Sequence, residues 1–116
     1  AMMLANGGTL DGVRILSPYT VEFMGSSQLS DKCRADLTWE TLRGYGYGNL
    51  CRVMDTPHSA GCSVQLGAFG WDGWTGNYFI VDPIENMVVM YVIQKCNGTD
   101  DKLIRKLLNS VYGALC

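Results

Sequence analysis

The residues best placed to do chemistry lie in one short aromatic and glycine-rich stretch, Trp71-Asp72-Gly73-Trp74-Thr75-Gly76. Glycine lets a ligand approach the main chain, since no side chain stands in the way. The same letters also read as a tight turn that carries two large aromatics into a core or its rim. A second cluster can be drawn from His58, the one histidine, with Cys51 and Cys62. A nucleophilic cysteine needs an orienting group beyond its base and an electropositive pocket, and the pattern shows neither. The spacing fits no zinc-ligand pattern and contains no Cys-x-x-Cys, so no metal or cofactor is expected, and His58 reads as an exposed turn residue. A serine nucleophile activated by a lysine one helical turn away would appear as Ser-x-x-Lys. No serine in the chain has a lysine three positions on.

The elements that must position these residues follow from periodicity and punctuation. Met2-Met3-Leu4-Ala5 are helix formers that run into Asn6-Gly7-Gly8, a helix stop. A helix confined to residues 2–6 is too short to nucleate alone, so it is expected to be the last turn of a longer one. Asp11-Gly12 marks a turn, and Ser17-Pro18 opens a helix whose inner face is expected to carry Val21, Met24 and Tyr19. Residues 26–44 show no sustained period and are expected to form a surface loop. One strand is predicted from Tyr45 to about Met54, a turn from Thr56 to Gly61, and a short strand over Ala68–Trp71. Asn77–Asp82 and Met87–Gln94 then form an antiparallel pair around Pro83-Ile84-Glu85-Asn86. Asn97–Asp101 are expected to cap a final helix in which Leu103, Ile104, Leu107, Leu108 and Val111 recur at helical spacing. The prediction is an α+β fold: an antiparallel sheet of three to four strands, a carboxy-terminal helix and a short amino-terminal helix.

The totals narrow the function classes. At 116 residues, 47% hydrophobic and 17% charged, the chain is expected to be one globular domain, residues 1–116. The net charge of -2 and the scattered basic residues give no grip for nucleic acid or anionic lipid. The longest apolar run, Met87 to Ile93, is about a third of a membrane span and reads as a buried strand, so no membrane insertion is expected. The five cysteines Cys33, Cys51, Cys62, Cys96 and Cys116 are odd in number and irregularly spaced. With no signal peptide in the sequence they read as free thiols in a reducing, by default cytoplasmic, compartment. Asn97-Gly98-Thr99 is a formal glycosylation sequon without that secretory context.

Several segments, in order, resemble the last third of the serine β-lactamase-like hydrolases, which include class C β-lactamases, DD-peptidases of the penicillin-binding protein type and related esterases. They are Leu4 to Pro18 (LANGGTLDGVRILSP), Gly44 to Gly48 (GYGYG), Gly67 to Phe79 (GAFGWDGWTGNYF) and Val81-Asp82-Pro83. The resemblance implies a serine nucleophile in Ser-x-x-Lys, a Tyr-x-Asn motif, and a third motif on a strand edge. Trp71-Asp72-Gly73 falls at that third motif, with the Trp74 N–H as half of an oxyanion hole, so Trp71, Asp72, Gly73 and Trp74 are the candidate substrate-binding and oxyanion residues. Asp72 departs from the usual Gly or Thr and would set a carboxylate where a carboxylate-bearing substrate docks, which argues against β-lactam recognition. Tyr47-Gly48-Asn49 spells Tyr-x-Asn but lies in the GYGYG strand, whereas the family's motif is far upstream, so the match reads as coincidence.

The resemblance therefore implies a carboxy-terminal fragment, inactive alone, whose natural partner is the hydrolase's amino-terminal part. The alternatives are a half-site completed by another chain and a non-catalytic binding or oligomerisation module that reuses the fold. In the family, strands and a helical region from the amino-terminal part complete and cover the sheet. Without them an open edge and an apolar patch are expected, and with them homo-oligomerisation.

Overall fold

The computed structural model describes residues 1–95 and 101–115. The expected cap at Asn97–Asp101 therefore lies largely outside the described residues, as do the sequon and the thiols of Cys96 and Cys116. Helix α1, Met2–Ala5, ends as the Asn-Gly-Gly signal requires, with Gly7 and Gly8 at φ 61° and 95°. Asp11 and Gly12, both at positive φ, then turn a small hairpin of β1 (Thr9–Leu10) and β2 (Val13–Arg14). Helix α2, Pro18–Met24, starts on the Ser17 side chain, which accepts from the Thr20 amide at 3.1 Å, with Pro18 at the first helical turn.

Residues 26–44 hold more local structure than the loop expected of them. They contain α3 (Asp31–Ala35), capped by the Ser30 hydroxyl, and a single 3₁₀ turn at Glu40–Leu42. Capping rather than hydrophobic period makes these short elements, so a search for period passes over them.

Five strands form one antiparallel sheet in the order β3 (Tyr45–Tyr47), β4 (Arg52–Met54), β5 (Phe69–Asp72), β6 (Tyr78–Asp82), β7 (Met87–Tyr91). The extra strand arises because the stretch read as one strand from Tyr45 to Met54 is a hairpin. Gly48 donates its N–H to the Cys51 carbonyl at 2.8 Å, and Leu50 takes the left-handed conformation at φ 62°. A side chain at Gly48 would meet the Met24 and Ser26 carbonyls at 2.6 Å, so the turn packs against the end of α2 only with glycine there. Pro57–Ala60, expected as a turn, is a single helical turn, α4.

Helices pack on both faces of the sheet, which explains the apolar run of β6. The run Met87 to Ile93, expected as a buried strand, is fully buried only at Val89, and Met90 and Val92 are exposed because no described element covers them. On one face Ile104, Leu108 and Tyr112 of α5 (Asp101–Tyr112) pack on Tyr45, Met54, Tyr78, Ile80 and Val89. On the other, Ala5 of α1 and Val21 and Met24 of α2 pack with Val53, Phe69 and Val81, while Tyr19, expected on the same face, lies in the first turn of α2 and is 74% exposed. Asp82, 1% exposed, joins the layers: one carboxylate oxygen accepts the Ile84 and Glu85 amides at 2.9 and 3.0 Å, and the other accepts the Tyr112 hydroxyl at 2.5 Å. Its charge is thus buried with donors on both oxygens.

Burial sets a pH limit on this core. It raises Tyr45, Tyr78 and Tyr112 above the ordinary tyrosine value of 10.0, with Tyr78 adding to the effect on Tyr45 and the Asp82 carboxylate to that on Tyr112. Burial likewise raises Cys51 and Cys62 above 9.0. The unfolded chain loses these protons first, so stability is full below the ordinary values and falls as pH rises through them. Urea midpoints should hold up to about pH 9 and drop steadily between roughly pH 10 and 11; a midpoint unchanged across that interval would contradict the burial of these hydroxyls.

Candidate functional site

Trp71 and Asp72 are the last two residues of β5, and Gly73 and Trp74 begin the loop that returns to β6. The loop is closed by the Gly73 N–H donating to the Asn77 carbonyl at 2.7 Å and the Gly76 N–H to the Gly73 carbonyl at 2.9 Å, with Gly76 at φ 83°. Asn77 then accepts the Ile93 amide on its side chain at 2.9 Å, which ties the loop to the chain beyond β7. Among the described residues the Trp74 N–H makes no hydrogen bond. Gly73 has no positive φ, and a Cβ there would meet only Asn77, at 3.8 Å. The backbone does not need glycine at 73; its effect is to leave space beside the strand end.

That space belongs to a groove of about 380 Å³ lined by Trp39, Thr41, Leu42 and the whole of Trp71-Asp72-Gly73-Trp74. The structure thus brings the four sequence-predicted residues together and adds a wall from the 3₁₀ turn, which sequence reasoning missed. The one signal available was Trp39, a large aromatic in an otherwise polar stretch. A shallower apolar hollow of about 280 Å³ lies beside the same strand end, over Phe79, Met90 and Val92.

Arg52 on β4, also unforeseen, organises the site. It is 3% exposed, forms an ion pair with the Asp72 carboxylate, and donates to the Thr41 carbonyl at 3.1 Å. Its guanidinium lies over the rings of Tyr45, Trp71 and Tyr78 at 5.3–5.4 Å. One buried cation therefore connects the groove's two walls, through Asp72 on one side and Thr41 on the other. The carboxylate expected to meet substrate is present, but Arg52 balances its charge.

The other candidates separate. Tyr47, of the Tyr-x-Asn match, packs edge-on against Trp71 with ring centroids 5.5 Å apart. His58 is exposed on α4, Cys51 and Cys62 are buried, and Cys33, Cys51 and Cys62 are free. Among the described residues no three His, Cys, Asp or Glu side chains gather as a metal-binding group, and no helix is long and apolar enough to cross a membrane.

The fold is β-lactamase-like. The chain superposes on EstCE1, "a hydrolase with promiscuous acyltransferase activity", with a TM-score of 0.73 and 20% identity over 97% of this chain and 27% of that one. It superposes on a penicillin-binding protein homologue from Caulobacter crescentus with a TM-score of 0.70 and 25% identity over 98% of this chain and 29% of the other. In sequence it is 37% identical over 99 residues to Protein Rv1367c of Mycobacterium tuberculosis strain ATCC 25618 / H37Rv, and equally to Uncharacterized protein MT1414 of strain CDC 1551 / Oshkosh. That alignment takes in 81% of this chain and 25% of each relative, so the chain spans about a quarter of their length. No family model matches the sequence.

The ion pair gives an asymmetric prediction. Asp72→Ala leaves a nearly inaccessible guanidinium without its counter-charge and should cost about 3 kcal/mol by urea denaturation. Adding Arg52→Met should recover at least half of that loss, because the double variant buries no unpaired charge. Additive losses in the double variant would show that the pair does not act as a unit.

Proposed function

We propose that this chain is the carboxy-terminal part of a β-lactamase-related serine hydrolase of penicillin-binding protein or esterase type. It supplies the third-motif strand and half of the oxyanion hole, but no nucleophile. The observation that carries the reading is the end of β5: an amide at Trp74 with no hydrogen bond among the described residues, beside a glycine whose absent side chain keeps the approach open. Support comes from the order of the matching segments along the chain and from the solved hydrolase and penicillin-binding protein homologue, each more than three times as long as the portion covered. In this reading a serine from the preceding region attacks the substrate carbonyl and passes its proton to the neighbouring base. The carbonyl oxygen, now negative, receives the Trp74 N–H; such a donor is worth roughly 10²–10³ in rate.

The isolated chain should therefore hydrolyse neither nitrocefin nor p-nitrophenyl esters above a heat-inactivated control. Placed in full-length EstCE1, the solved hydrolase, in exchange for the matching segment, it should keep that protein's hydrolase activity. Gly73→Val in the chimera should lower it at least tenfold, by filling the approach to the amide. Turnover by the chain alone, or a chimera indifferent to Gly73→Val, would sink the proposal.

The alternative, a module that associates with its own copies, is favoured by β7. Among the described residues no strand pairs with its outer edge; Met87–Tyr91 carries no charge, and Met90 and Val92 are 62% and 71% exposed. The opposite edge, β3, is partly covered, its Tyr47 carbonyl accepting the Gln28 amide at 3.0 Å. Open apolar edges are templates for pairing, so light scattering behind a sizing column should find the isolated chain as a dimer at micromolar concentration. A stable monodisperse monomer would refute this.

A further inference from the structure

We infer that the groove between Trp39–Leu42 and Trp71–Trp74 binds an uncharged aryl group. Identifying that group with the acyl or leaving portion of an ester substrate rests on the hydrolase reading above; the binding does not. All three tryptophans of the chain line this one groove. Two of them stand largely in solvent, Trp39 at 71% and Trp74 at 78% exposed. Large aromatics left exposed around a concavity, and not used by the core, are the usual mark of a binding surface. The volume, about 380 Å³, suits a single ring with a short substituent.

Charge decides the class. Among the described residues, Asp72 is the only ionisable side chain lining the groove, and Arg52 beneath it balances that carboxylate. Glu40, between Trp39 and Thr41 in the chain, is paired with Arg43 at 3.2 Å and Arg105 at 3.0 Å. An anionic ligand would thus find no cation on the lining among the described residues, and would leave its water shell without compensation. A cation would be drawn by the indole faces, but the Arg52 guanidinium already lies over Trp71 at 5.4 Å and repels a second positive charge. A neutral ring avoids both penalties and can stack on the two exposed indoles.

The three indole N–H signals in a ¹H–¹⁵N spectrum of the ¹⁵N-labelled chain report on this groove; those of Trp39 and Trp74 separate it from the neighbouring hollow, which Trp71 also lines. Phenylacetamide, phenylacetate and benzyltrimethylammonium share one ring and differ in charge. Phenylacetamide should shift all three indole signals saturably, with a dissociation constant of roughly millimolar or below. Phenylacetate and benzyltrimethylammonium should bind several-fold more weakly. Trp74→Ala, at a side chain too exposed to hold the core, should weaken phenylacetamide roughly two- to tenfold and leave the remaining spectrum in place. No saturable shift, equal or tighter binding of either charged probe, or an unchanged affinity in Trp74→Ala would each overturn the inference. Binding of the amide with no hydrolysis in the chimera would remove the hydrolase reading alone; a chimera that turned over only charged esters would remove this one alone.

Discussion

A single buried guanidinium holds the functional end of this molecule together. Arg52 is removed from water, and a cation in that position is tolerable only with a counter-charge, a carbonyl and polarisable ring faces around it. Asp72, the Thr41 carbonyl and the rings of Tyr45, Trp71 and Tyr78 supply these. They come from four parts of the chain: the 3₁₀ turn and the strands β3, β5 and β6. Satisfying one charge therefore fixes where the end of β5 stands relative to the Trp39–Leu42 wall, and with it the shape of the groove.

The opposite end of the sheet is held by the same logic with the sign reversed. Asp82 is as deeply buried as Arg52, and its oxygens are met by two turn amides and the Tyr112 hydroxyl. The donors are dipoles and not a full cation, so the site is built from a hairpin turn and the last turn of α5. Between these two polar anchors the sheet is apolar on both faces. Shape alone would leave the register of β5, β6 and β7 weakly defined; buried polar groups that must meet named partners specify it.

The outer margin of β7 and the hollow over Phe79, Met90 and Val92 stand apart from this closed organisation. They are surfaces of core composition without core burial. The solved structures of like fold are more than three times as long as the portion matched, and the curated relatives about four times. Among the described residues the sheet is partly covered at its β3 edge and open at its β7 edge, and it is there that further structure, the rest of a hydrolase or a second copy, is proposed to meet it.

Much of the fold could be read directly. Asn6-Gly7-Gly8, Asp11-Gly12 and Ser17-Pro18 have the conformations their chemistry dictates, because glycine, asparagine, proline and a capping hydroxyl act within a few residues of themselves. The α+β class, the β6–β7 pair and the final amphipathic helix followed from periodicity for the same local reason, as did the placing of Trp71 to Trp74 at a strand end. The split of Tyr45–Met54 into two strands was harder to see, since Leu50 carries no mark of its left-handed backbone. Arg52 could not be picked out at all: in the sequence it is one basic residue among nine, and neither Tyr45 nor Tyr78 is close to it in the chain. Trp39 gave only the signal of a large aromatic in a polar stretch, with no pointer to the tryptophans it faces more than thirty residues on. Local chemistry sets turns, caps and alternation within a few bonds; which charges are buried together, and which aromatics share a groove, is decided only when strands distant in the chain pair in register.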